Sequence, residues 1–125
     1  MRLSFQQQTQ LSDQLLSDLS KIEHSLKRDR LSALIESQQL FTATFNERHV
    51  GYAVAAVNQQ QLTVEQFAVR DATRRRGVGL FMFQQLLQWS AAQGLEGVVF
   101  PEVSDEAAKG FYQHLGLAAH QLFRV

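Results

Sequence analysis

A chain of 125 residues, 45% apolar and 19% charged, is long enough for one hydrophobic core and is expected to form a single domain over residues 1–125. Twelve basic and twelve acidic side chains cancel, which leaves no overall field to draw the chain onto nucleic acid or membrane, and the lack of cysteine excludes disulfides and a cysteine nucleophile. No apolar run approaches the ~20 residues of a membrane span, and the N-terminus lacks the charged-then-apolar form of a signal peptide, so the expected location is the cytoplasm.

Arg2 to Phe5 alternates polar and apolar residues and predicts an edge strand. Ser12 or Asp13 can cap a helix whose Leu15, Leu19, Ile22 and Leu26 share one face. Lys27 to Arg30 reads as a charged, solvated break, and Leu31, Leu34 and Ile35 predict a second short helix. Leu40 to Phe45 and Val50 to Val57 read as strands joined by a turn at Asn46-Glu47-Arg48, and Asn58 to Gln61 turns the chain into a strand from Leu62 to Val69. Short turns make these three strands antiparallel neighbours. Past a turn containing Arg74-Arg75-Arg76-Gly77-Val78-Gly79, the residues Leu80, Phe83, Leu86, Leu87 and Trp89 recur at helical spacing, up to a stop at Gln93-Gly94. Gly97 to Phe100 is a short apolar strand, parallel to Leu62–Val69 because a helix connects them, and Pro101 ends it. Ser104 or Asp105 can cap a last helix with Ala107, Ala108, Phe111, Tyr112 and Leu115, closed by Gly116, and Leu117 to Val125 returns as a terminal strand. The fold class is therefore α/β: one mixed sheet in the order β-α-α-β-β-β-α-β-α-β, with helices on its faces.

The turn from Val69 to Leu80 carries the chemistry. Glycines let a ligand approach the backbone, and the following helix offers free N–H groups and a positive dipole end, a combination suited to an anion and most often to phosphate. A Walker A loop would need Gly-Lys-Ser/Thr, but Leu80 and Phe81 follow the second glycine. A dinucleotide fingerprint would need a small residue where Met82 stands, and the preceding strands form a meander. His24, His49, His114 and His120 show no ligand spacing, so no metal site is expected. No Gly-x-Ser-x-Gly elbow supports serine hydrolase chemistry.

Arg74-x-x-Gly77-x-Gly79 after Val69 resembles the acetyl-CoA pyrophosphate loop of the GCN5-related N-acetyltransferases (GNAT). Ala108-Lys109-Gly110-Phe111-Tyr112 with Leu115-Gly116-Leu117 is similar to the family's second signature, an Ala-x-x-Phe-Tyr-x-x-Leu-Gly-Phe helix and turn. The resemblance implies acetyl-CoA as ligand. Its pyrophosphate would lie on the N–H groups of Arg75, Arg76, Gly77, Val78, Gly79 and Leu80, with charge from Arg74 and its neighbours. Its pantetheine arm would follow the backbone of Phe67, Ala68 and Val69, where two central parallel strands splay apart. Tyr112 would donate a proton to the departing thiolate while an acceptor amine attacks the thioester directly. Glu65, counted onto the same face as Phe67 and Val69, is the first candidate base, with Glu102 as its rival.

Phe45-Asn46-Glu47-Arg48 and the unbroken run from Val69 to Gly79 are similar to one branch of the family, the aspartate decarboxylase maturation factors. Members of that branch bind acetyl-CoA and assist self-processing of a proenzyme in the pantothenate pathway. That likeness implies an alternative to acetyl transfer onto a primary amine: a non-catalytic regulator whose Asn46 and Arg48 meet the aspartate 1-decarboxylase proenzyme.

Overall fold

The computed structural model describes residues 3–70 and 77–125. Among them the chain forms β1 (Leu3–Gln7), α1 (Asp13–Ser20), α2 (Arg28–Glu36), β2 (Leu40–Phe45), β3 (Arg48–Asn58), β4 (Gln61–Val69), α3 (Val78–Ala92), β5 (Gly97–Val99), α4 (Glu106–Leu115) and β6 (Leu122–Arg124). The strands make one sheet in chain order, antiparallel at every junction except β4–β5, which is parallel. This is the mixed α/β architecture expected from the sequence.

Two hairpins of the same kind build the meander. Asn46 and Glu47 have φ of 51° and 66°, and Gln59 and Gln60 have 52° and 67°. Left-handed backbone at both central residues matches the twist of the flanking strands, which lets two residues complete each turn. Arg48 and Gln61, expected in the turns, therefore already belong to β3 and β4.

The Ser12 hydroxyl caps α1 by accepting the Leu15 N–H at 3.1 Å, and Leu15 and Leu19 are buried from its inner face. The helix ends at Ser20 rather than continuing to Leu26. Ile22 and Leu26 donate instead to carbonyls three residues back, and Leu26 is buried from the turn that follows. Lys27 to Arg30 does not break the chain as predicted. Arg28, Asp29 and Arg30 form the first turn of α2, where Asp29 suits the positive end of the helix and Arg28 pairs with Asp13 of α1 at 2.9 Å.

Each face of the sheet carries one apolar core. Leu15, Leu19, Leu31 and Leu34 from α1 and α2 meet Leu40, Tyr52 and Val54 on one side. On the other, Val78, Met82 and Leu86 of α3 and Tyr112 of α4 meet Phe41, Ala53, Phe67 and Phe100. The buried stripe of α3 is Val78, Met82, Leu86 and Ser90, whereas Leu80 is 47% exposed. Ser90 keeps this four-residue period while hiding a hydroxyl that finds no hydrogen-bond partner among the described residues.

Candidate functional site

The sheet opens beside β4. That strand pairs with β3 from Gln61 to Val69 but with β5 only at Gln61↔Gly97, Leu62↔Val98 and Thr63↔Val99. Beyond Thr63 the parallel strands part. Phe100 bridges to Ala119, and Pro101, which has no N–H, ends the run. The result is a wedge with β4 on one side and residues 100–103 on the other, the splay expected of the two central strands. Phe67 occupies its base, stacked on Phe111 at 5.8 Å and edge-on to Phe100 and Tyr112 at 5.3 and 6.2 Å.

A bulge in β4 changes what faces the wedge. Val54 pairs with Gln66 and Ala55 with Val64, so Glu65 is the extra residue between two paired ones. The buried positions run Leu62, Val64, Phe67, Val69, and it is Val64 that joins Phe67 and Val69 in the core. Glu65 is exposed and does not share their face, contrary to the two-residue count. Ala68 turns to the opposite core, beside Tyr52 and Val54.

The first turn of α3 lies against this site. Gly77 caps the helix with φ 78° and ψ 12°, left-handed backbone that glycine adopts without strain, and a Cβ there would meet nothing within 4 Å. Gly79 has a different reason to be glycine. A Cβ on it would lie 2.9 Å from Phe111 Cζ and from Leu115 Cδ1, so its small size sets the approach of α3 to α4. The N–H groups of Val78, Gly79 and Leu80 have no carbonyl partner within the helix and sit at its positive end. An open left-handed turn, helix N–H donors without intrahelical partners and an adjacent wedge fit an elongated ligand with an anionic middle. Arg74, Arg75 and Arg76 lie outside the described residues.

On α4, the Asp105 carboxylate caps the helix by accepting the Ala108 N–H at 2.9 Å, and Gly116 closes it with φ 76°. Phe111 and Leu115 face α3, while Lys109, Tyr112 and Gln113 line a cavity of about 390 Å³ together with Glu102. The Tyr112 ring is buried, and burial pushes its phenol up to about 12, so the hydroxyl keeps its proton at neutral pH. Tyr52, on the far side of the sheet, donates its hydroxyl to Gln66 Oε1 at 3.1 Å, directly after the bulge.

The hairpin residues part company. Asn46 sits at the tip, whereas Arg48 is engaged within the chain: its Nε and Nη2 donate to Asp18 Oδ1 at 3.0 and 2.6 Å. Asp18 also accepts the His49 N–H at 2.9 Å and Gln14 Nε2 at 2.8 Å. Burial alone would raise its carboxyl, but the hydrogen bonds from Arg48, His49 and Gln14 outweigh that and hold it below the usual carboxylate range. Sequence reasoning did not single out Asp18. An acid at the position beside Leu15 and Leu19 on an otherwise apolar stripe was the available signal. His49 Nδ1 in turn lies 3.0 Å from Thr42 Oγ1, which accepts Gln8 Nε2 at 2.6 Å. Burial lowers the His49 pKa, so this ring is neutral at physiological pH.

Among the described residues no cluster of His, Asp or Glu is arranged to hold a metal ion, and no helix is long and apolar enough to cross a membrane. Comparison with known proteins places these features. The sequence model of the family described as "Acetyltransferase (GNAT) domain, PanZ" matches residues 2–123. The PanD regulatory factor of Escherichia coli K12 is 28% identical over 131 residues, covering 97% of this chain and 95% of that protein. The PanD regulatory factor of Salmonella typhimurium is 30% identical over 104 residues, covering 77% of this chain and 81% of its own. The solution structure of the Escherichia coli protein YhhK bound to coenzyme A superposes with a TM-score of 0.75 at 26% identity, over 98% of this chain and 95% of that one. Matched from residue 2 to residue 123, the chain belongs to the PanZ family of GNAT acetyltransferase domains.

Proposed function

We propose that the protein binds acetyl-CoA in the wedge beside β4 and, so loaded, regulates aspartate 1-decarboxylase by direct contact. The observation that carries the ligand is the early end of the β4–β5 ladder at Thr63↔Val99, next to an open glycine turn at the start of α3. The backbone from Phe67 to Val69 receives the pantetheine arm. The N–H groups of Gly77 to Leu80 hold the pyrophosphate, with Arg74, Arg75 and Arg76 supplying charge. CoA bound to the related YhhK supports the choice of ligand. The choice of partner is supported by two regulatory-factor relatives aligned over most of their own length. Asn46, exposed at the hairpin tip, is offered as a partner contact, and Arg48 serves there by shaping the tip through Asp18. A cytoplasmic location is part of this reading, in keeping with the lack, among the described residues, of a helix long and apolar enough to cross a membrane.

Calorimetry on the folded Gly77→Val variant tests the ligand site. Affinity for acetyl-CoA should fall at least tenfold, and unchanged affinity would refute the assignment. Co-expression with the decarboxylase proenzyme tests the partner. Processing should depend on this protein and fail with Gly77→Val, and processing at the same rate in its absence would remove the regulatory role.

Tyr112 specifically favours a second function, acetyl transfer to a primary amine. Tyr112 lines a cavity at the wedge and keeps its phenol proton at neutral pH, which suits a proton donor to a thiolate. Glu65 as base rests on the sequence pattern alone, and its exposed position on the bulge suits a water-mediated route better than direct contact. Tyr112→Phe should abolish amine-dependent thiol release while leaving acetyl-CoA affinity intact. Release at the wild-type rate would exclude this tyrosine as the acid.

A further inference from the structure

Helix α4 has two working faces. Phe111 and Leu115 pack against the glycine turn, while Lys109, Tyr112 and Gln113, at helical spacing of three and four, line the cavity on the other side. The cavity therefore lies apart from the proposed pyrophosphate cradle, with Tyr112 in its wall. Its remaining walls come from residues 101–103 and 117–119. Most of that lining is apolar, including Val103, Leu117 and Ala118. Among the described residues, the charged side chains in it are one acid, Glu102, and one base, Lys109.

Among the described residues, neither charge is strongly committed elsewhere. Glu102 lies 3.8 Å from His120 and is 81% exposed, and Lys109 lies 3.8 Å from Glu106 and is 46% exposed. Ion pairs of this length and exposure hold their members only weakly. A ligand that offers an ammonium to Glu102, a carboxylate to Lys109 and a hydrocarbon body to the wall would match the three chemistries together. A simple anion or cation would satisfy one charge and leave the other. The space, about 390 Å³, exceeds the volume of any single amino acid and so admits a sizeable side chain.

From one acid and one base, Glu102 and Lys109, in the wall of a partly apolar cavity, we propose that this site binds a free α-amino acid with an aliphatic or aromatic side chain. The site stands independently of whether acetyl transfer occurs, since binding is read without turnover.

The test is a titration of the ¹⁵N-labelled full-length protein, with and without saturating acetyl-CoA, using leucine, leucine methyl ester and 4-methylpentanoate. The ester lacks the carboxylate and the acid lacks the ammonium. Leucine should give saturable shifts centred on Glu102, Lys109, Gln113 and Ala118, and each truncated probe should bind at least tenfold more weakly. Lys109→Met, at an exposed position, should weaken leucine at least tenfold without altering the acetyl-CoA affinity, and Glu102→Gln should weaken leucine by at least as much. Equal responses to leucine and its methyl ester, or no saturable response to leucine in either state, would overturn the proposal. Loss of acetyl-CoA binding in the unmodified protein would instead count against the thioester site and leave this one standing.

Discussion

Gly77 and Gly79 are two positions apart, and each is glycine for its own reason. Gly77 needs a left-handed backbone, which costs other residues about 1–2 kcal/mol, yet it has room for a side chain. Gly79 has helical backbone but no room, since a Cβ meets Phe111 and Leu115 at 2.9 Å. Gly79→Val should therefore destabilise the fold by roughly 1–3 kcal/mol through overpacking at α3–α4. Gly77→Ala should cost about 1–2 kcal/mol with no change at that junction. Chemical denaturation measures both, and Phe111 side-chain NMR shifts, perturbed only in the Gly79 variant, separate the causes. That the glycine pair marks a turn at the start of a helix was legible in the sequence. The packing role of Gly79 was not, because it depends on a helix that begins 27 residues later in the chain.

At the scale of elements, α1 is fastened to the β2–β3 hairpin by one carboxylate. Asp18 is buried and takes donors from Arg48, His49 and Gln14. Its folded pKa lies below its ordinary value, so its stabilising contribution is present above about pH 4 and disappears as pH falls through the folded value. Asp18→Asn should lower the melting temperature at pH 7, and the gap to the wild type should narrow as pH drops below about 4. A constant gap from pH 7 to pH 3 would show that the charge is irrelevant. Strands β2 to β5 and the order of all ten elements could be read from periodicity and turn chemistry. The bulge at Glu65 could not: one inserted residue shifts every later side chain to the other face, and it arises from pairing with β3 rather than from β4's own sequence. Likewise the extent of α1 exceeded what it needed, because a turn can bury Leu26 as well as a helix can.

Across the whole molecule, burial moves both tyrosines in the same direction. Tyr52 and Tyr112 sit in the two opposite cores, and burial raises both phenols above the usual value near ~10, Tyr112 to about 12. Groups with raised folded pKa stabilise fully below their ordinary pKa, and the benefit is lost as pH rises toward the folded value. Absorbance at 295 nm should show almost no phenolate at pH 10, then rise in step with loss of far-UV circular dichroism. Half-titration at pH 10 with the fold intact would contradict the burial of both rings.

The three-pair ladder between β4 and β5 also predicts a mechanical joint between two pieces. One is the meander with α1 and α2. The other, β5 with α4 and β6, hangs from three parallel residue pairs, the α3 crossover and the aromatic contacts of Phe67. Such a joint opens at lower free energy than either piece unfolds. Amides of β5 and α4 should therefore exchange with deuterium faster than those in the middle of β3, and a molecule seated in the wedge should slow them selectively because it touches both sides of the joint. Uniform protection along the chain, with and without acetyl-CoA, would show that the pieces move as one. If they do not, occupancy of the wedge sets the stiffness of the last third of the chain, so that any protein resting on both pieces could sense the ligand through rigidity alone, without touching it.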